Sequence, residues 1–153
     1  MKKNFNEHLA ELPKLLMNLH DAPLISFPYS EAPTKGIYVF YKKGKPQYVG
    51  RTNRMKDRLQ EHGRNSSNHN SAQFAFLLAR KQASGKGIEI RNIPRKELEK
   101  EPEFKKLFIA AKDEVRHMEV RCVEIKDPVT QALFEIYAHL ELATHEYNDF
   151  DNH

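Results

Sequence analysis

Two short runs rich in aromatic and β-branched residues, Gly36 to Tyr41 and Gln47 to Thr52, flank the pentapeptide Lys42-Lys43-Gly44-Lys45-Pro46. Strand-forming residues on either side of glycine and proline turn chemistry predict a β-hairpin. A hairpin cannot hold its apolar face out of water alone, so the rest of the chain must cover it. Residues 5–19 carry Leu9, Leu12, Leu15, Leu16 and Leu19 near helical spacing, interrupted by Pro13, where a break or a first turn is expected. Residues 22–34 hold Pro23, Pro28 and Pro33 and predict an extended connector. Asn53 is placed to cap a helix over about 54–62, and Ser71 one running through Lys81. Ile88 to Ile90 reads as a short edge strand. Residues 95–117 read as one amphipathic helix after a turn ending at Pro102. Met118 to Ile125 alternates as a third strand until Val123 and Ile125 shift the pattern. Asp127-Pro128 caps a helix over Val129 to about Thr144. The expected fold is a small α+β domain with a three-stranded, largely antiparallel sheet flanked by helices.

Charge narrows the function. Residues 35–58 hold eight Lys or Arg and one acid, a window of +7 in a chain of net charge +4. Residues 135–153 hold five acids and no Lys or Arg. A local basic patch on a near-neutral chain points to a polyanion met by one face. Lys42, Lys43, Lys45, Arg51, Arg54, Lys56 and, further on, Arg64 are the candidate nucleic-acid contacts. The polar loop 63–70, with Arg64, Asn65, Asn68, His69 and Asn70, is a candidate for reading base edges. No apolar run approaches the roughly 18–20 residues of a membrane span, and the polar N-terminus does not read as a signal peptide. The single cysteine, Cys122, cannot form an internal disulfide and reads as a small buried hydrophobe. A cytoplasmic location is expected.

The chemistry-bearing residues recur in one order. Gly36-Ile37-Tyr38 and Tyr48-Val49-Gly50 sit on the paired strands; Arg58 and His62 follow one helical turn apart; Glu135 lies among apolar neighbours on the last helix; Asn148 comes just after it. Taken singly, each has an ordinary structural explanation. Taken together, residues 35–149 resemble the GIY-YIG nuclease superfamily, with Val49 where isoleucine is common. The resemblance implies phosphodiester hydrolysis. Tyr38 would be the general base, with assistance from His62, although which group takes the proton stays open. Tyr48 would position water or phosphate, Arg58 would bind the scissile phosphate, Glu135 would hold Mg²⁺ or Mn²⁺, and Asn148 would orient the site. These chemistries agree with residue type. Arginine's planar fork suits a phosphate oxygen, and Mg²⁺ keeps several waters and needs few protein ligands.

The reading divides the chain into an N-terminal extension, 1–34, and a nuclease domain, 35–153, with a helical insertion at about 63–117. The expected protein is a metal-dependent DNA endonuclease, restriction-like, with RNA left open as substrate. A homodimer is expected, because two strands need two active sites. The alternatives are a structure-selective repair or recombination nuclease and a catalytically inactive nucleic-acid-binding module. A second cluster, His139, His145 and His153 with nearby acids, has zinc-ligand residue types but no recognised zinc spacing.

Overall fold

The computed structural model describes residues 2–148, which divide into two units, 2–56 with 119–148 and 57–118. The first is built on an antiparallel sheet of β1 (Gly36–Lys42), β2 (Lys45–Thr52) and β3 (Glu119–Glu124), in the order β2-β1-β3. Helices α1 (Phe5–Asp21) and α6 (Pro128–Leu142) pack together and against this sheet. Leu12 and Leu19 of α1, Ile37, Val39 and Tyr41 of β1, Val49 of β2, Val123 and Ile125 at β3, and Phe134 and Ala138 of α6 form one apolar core.

The central strand β1 is buried on both faces, and its register sorts the side chains. Tyr38 lies opposite Gly50 and Cys122, and Phe40 lies opposite Tyr48 and Val120. Directly paired residues share a face. Tyr38, Phe40, Tyr48 and Gly50 therefore share the face away from the core that holds Ile37, Val39 and Val49. The shift in β3 now has its reason. Val120 and Cys122 belong to the tyrosine face, whereas Val123 and Ile125 belong to the core beneath α1 and α6.

Asn4 caps α1 by accepting from the Glu7 N–H at 2.9 Å. The break expected at Pro13 does not occur. Pro13 lies inside the continuous helix on its exposed side, where water can serve the Leu9 carbonyl that proline leaves without a donor. Asp127 caps α6 through the N–H groups of Val129 and Thr130, with Pro128 in the first turn. Helix α2 (Met55–Gly63) starts one residue later than expected, and Asn53 is not its cap. The Asn53 side-chain oxygen instead accepts from Gln131 of α6 at 3.2 Å, and Thr52 accepts from the Arg54 N–H at 3.0 Å.

In the second unit, α3 (Gln73–Gly85) packs on α5 (Pro102–Arg116) after a short α4 (Arg95–Leu98). The Phe76 ring meets Phe104 at 5.2 Å and Phe108 at 5.6 Å, so aromatic packing supplies this core. Ser71 does not cap α3. Ala72 stands at the cap position without a side-chain bond, while Asn68 accepts from the N–H groups of Asn70 and Ser71. Residues 88–90 form no strand. Among the described residues no helix is long and apolar enough to cross a membrane.

Candidate active site

Both signature glycines are required by close approach. A β-carbon on Gly50 would lie 2.2 Å from Cζ and 2.3 Å from the hydroxyl oxygen of Tyr38. The hydroxyl end of the Tyr38 ring thus lies over β2 at the one position of that strand that has no side chain. Gly36 holds φ +149°, and a β-carbon there would sit 2.0 Å from the Val123 carbonyl oxygen. That glycine lets β1 begin hard against the end of β3. The Tyr38 ring is further held edge-on by Phe40 at 5.8 Å. Tyr38 and Tyr48 are 2% and 8% exposed, so both side chains are largely withdrawn from water.

β2 is an edge strand, and the outer backbone groups of its Val49 are answered by one side chain. The Asn148 amide accepts from the Val49 N–H at 2.9 Å and donates to the Val49 carbonyl at 2.8 Å. It acts as a one-residue strand next to Tyr48, satisfying both backbone groups of an otherwise open edge. The chain reaches this point because α6 ends in a left-handed residue, Ala143 at φ 54°. Thr144 then holds the turn, its side chain bonded to Nδ1 of His139 at 3.1 Å and its carbonyl accepting from the Asn148 N–H at 3.0 Å.

Glu135 is half-buried on α6. The sequence expects one polar stripe on this helix carrying Gln131, Glu135, His139 and Glu141; Gln131 and His139, one turn before and one turn after Glu135, are buried, whereas Glu141 is exposed. Gln131 donates to the Ile125 carbonyl at 2.6 Å and to Asn53, just beyond β2. The stripe carrying Glu135 therefore runs beside β2, between one tie at Asn53 and another at Val49. In this unit Tyr38 and Tyr48 share one sheet face, Asn148 binds the edge of β2 beside Tyr48, and Glu135 lies on α6, which packs against β2.

Arg58 and His62 lie one turn apart on the part of α2 that belongs to the second unit. Nη1 of Arg58 donates to the Ser71 carbonyl at 2.7 Å and lies 3.5 Å from Glu61. This fixes the guanidinium while leaving Nε and Nη2 as donors. His62 is fully buried, and burial, followed by the charge of Arg58, holds its pKa well below the usual histidine value. The imidazole is neutral at pH 7, and the same burial and neighbouring charge oppose its protonation.

The basic candidates are all exposed. Lys42, Lys43 and Lys45 crowd the β1–β2 turn, where Lys43 (φ 52°) and Gly44 (φ 76°) reverse the chain. Arg54, Lys56 and Arg64 are likewise exposed. Arg51 lies on the face of β2 opposite Tyr48, and its Nη1 donates to the Pro128 carbonyl at 3.3 Å. Of the alternative zinc set, His153 lies outside the described residues. Among those residues no group of three His, Cys, Asp or Glu is arranged to hold a metal. Reading from sequence put Gln131 on the polar stripe of Glu135, four residues before it on one helical face, but did not foresee the ties that it and Thr144 make.

A family profile, the GIY-YIG catalytic domain, matches residues 34–148. The chain belongs to the GIY-YIG family. No curated protein and no solved structure matches it significantly. The GIY-YIG domain makes this chain a nuclease of the endonuclease superfamily, a hydrolase of phosphodiester bonds. Nucleases of this family are in general dependent on divalent metal.

Proposed function

We propose that this GIY-YIG protein is a divalent-metal-dependent endonuclease that cuts duplex DNA in the manner of a restriction enzyme. The observation that carries the reading is the Tyr38 ring seated on Gly50 and flanked by Tyr48 on the same sheet face, next to a β2 edge bound by Asn148. In this reading Tyr38 takes the proton of the attacking water, assisted by the neutral imidazole of His62. Tyr48 positions that water or the phosphate. Arg58 presents its remaining N–H donors to a non-bridging phosphate oxygen. Asn148 acts by holding β2, and so Tyr48, in place.

The donor set suits a hard divalent ion. It offers one half-buried carboxylate, Glu135, with no cluster of soft or nitrogen ligands around it among the described residues. A single hard oxygen donor fits Mg²⁺ or Mn²⁺, which retain most of their waters. Bound at Glu135, such an ion would stabilise charge on the leaving oxygen as a Lewis acid. The lysines and arginines at 42, 43, 45, 51, 54, 56 and 64 supply contacts to the DNA. A homodimer working in the cytoplasm completes the proposal, since double-strand cleavage takes two sites.

The experiment is cleavage of supercoiled plasmid and of mixed-sequence duplex with Mg²⁺, Mn²⁺ or EDTA, comparing wild type with Glu135→Ala. Metal-dependent cutting that the variant lacks, with DNA binding kept, supports the reading. Undiminished nicking by Glu135→Ala removes the metal assignment. No cutting by wild type on either substrate, with binding intact, favours a binding module.

A further inference from the structure

The loop 64–71 is polar in sequence but firmly built in structure. The Lys112 side chain, 5% exposed, donates to the carbonyls of Asn65 at 2.6 Å and Ser67 at 2.8 Å. Its ammonium also lies 4.3 Å from the centre of the Phe108 ring. Glu99 accepts from the His69 N–H with one oxygen and meets the His69 ring with the other at 3.0 Å. The Ser67 hydroxyl donates to the Glu61 carbonyl at 2.6 Å, and Arg58 holds the Ser71 carbonyl. A buried ammonium spent on two loop carbonyls is an expensive way to close a surface loop, because its charge must leave water.

The side chains on this frame point to recognition. Arg64, Asn65 and Asn70 are exposed, and their side chains make no hydrogen bond among the described residues. Two grooves of about 380 and 310 Å³ meet at Asn65, Ile109 and Lys112. The first is edged by Lys106 and by Arg116, which is paired with Asp113 at 2.8 Å; the second is edged by Lys105 and Asn68. Amide and guanidinium groups suit base edges, and flanking lysines suit phosphates. Holding the backbone rigid removes the ordering entropy that a mobile loop loses on binding.

We propose that residues 64–70 are a pre-formed specificity loop. Arg64, Asn65 and Asn70 read base edges in duplex DNA, Lys105 and Lys106 hold adjacent phosphates, and Lys112 and Glu99 position the loop without touching DNA. The proposal rests on the DNA-nuclease reading above and adds a location for sequence preference.

The test maps every cut made by wild type and by Asn65→Ala/Asn70→Ala in one end-labelled mixed-sequence duplex. The double variant alters only exposed side chains and leaves the frame intact. The expected result is a changed distribution of cuts, with the ratio between the most and least favoured positions falling about tenfold or more. An unchanged distribution, or a uniform loss at every position, overturns the proposal. If wild type makes no cuts, the underlying nuclease reading fails instead. Lys112→Met, which keeps an apolar stem but removes the ammonium, gives a readout independent of activity. Trypsin should cut after Arg64 faster than in wild type, at equal helix content by circular dichroism. Equal resistance to trypsin shows that Lys112 does not hold the loop.

Discussion

Replacing Gly50 with alanine tests the physical link between a signature glycine and the tyrosine it serves. The added carbon would lie 2.2 Å from Cζ of Tyr38, whereas carbon atoms in contact sit about 3.5–4.0 Å apart. More than 1 Å of movement must be found. Backbone motion is resisted because Gly50 and Tyr38 are paired in register on adjacent strands. The ring itself must therefore swing, against Phe40 and in a site where Tyr38 is 2% exposed. Overpacking of this kind destabilises by about 1–3 kcal/mol. A catalytic group displaced by about 1 Å loses on the order of 100-fold in rate. The expected outcome is a protein that still folds cooperatively in urea but nicks plasmid on the order of 100-fold more slowly. Gly44→Ala is the control. Nothing lies within 4 Å of its β-carbon, but its φ is +76°, so it should lose about 1–2 kcal/mol of stability while keeping its nicking rate. If Gly50→Ala nicks within twofold of wild type, the position of the Tyr38 ring does not limit the chemistry and the reasoning is wrong.

Three further outcomes are expected. Asn148→Ala leaves both outer backbone groups of Val49 without their partner and should lower stability by about 1–3 kcal/mol, read from urea melts; nicking should fall further than that loss of folded protein explains. Buried His62 stays neutral in the folded protein but gains a proton when unfolded below its usual pKa. Stability should therefore be intact above about pH 6.5 and decline as pH falls, by up to about 1.4 kcal/mol per pH unit from this group. His62→Asn should flatten that slope in denaturant titrations from pH 7 to 5. Burial pushes the Cys122 thiol from 9.0 up to about 12, so its thiolate fraction at pH 8 is about a thousandfold below that of an unperturbed thiol. Alkylation by iodoacetamide should accordingly be far slower in native than in urea-unfolded protein; equal rates would show that the strand opens readily.

Much of this molecule is written in local pattern. The β1–β2 hairpin follows from aromatic and β-branched residues around Gly44, and the start of α6 follows from Asp127-Pro128, whose cap bonds span two and three residues. The set Tyr38, Tyr48, Arg58, His62, Glu135 and Asn148 was picked out through the resemblance to the family, whose motifs stand in that order along the chain. Pro13 misled because tertiary packing overrides local propensity: the α1 core side carries a proline on its exposed side. Ser71 misled because a competing local turn, in which Asn68 accepts from the N–H groups of Asn70 and Ser71, precedes α3.

The sequence by itself determined the three strands and the helices around them, because periodicity and turn chemistry act over a few residues, and the ordered motifs carried the resemblance to the family. Only the tertiary structure decided how the site is held. The Asn148 clamp on Val49 spans 99 positions, and the Lys112 tie to Asn65 spans 47. Such contacts depend on where the chain returns after folding, and no short-range pattern encodes that. The purpose of Gly50 is of the same kind. Its missing side chain has meaning only because the register of β1 brings the Tyr38 ring across it.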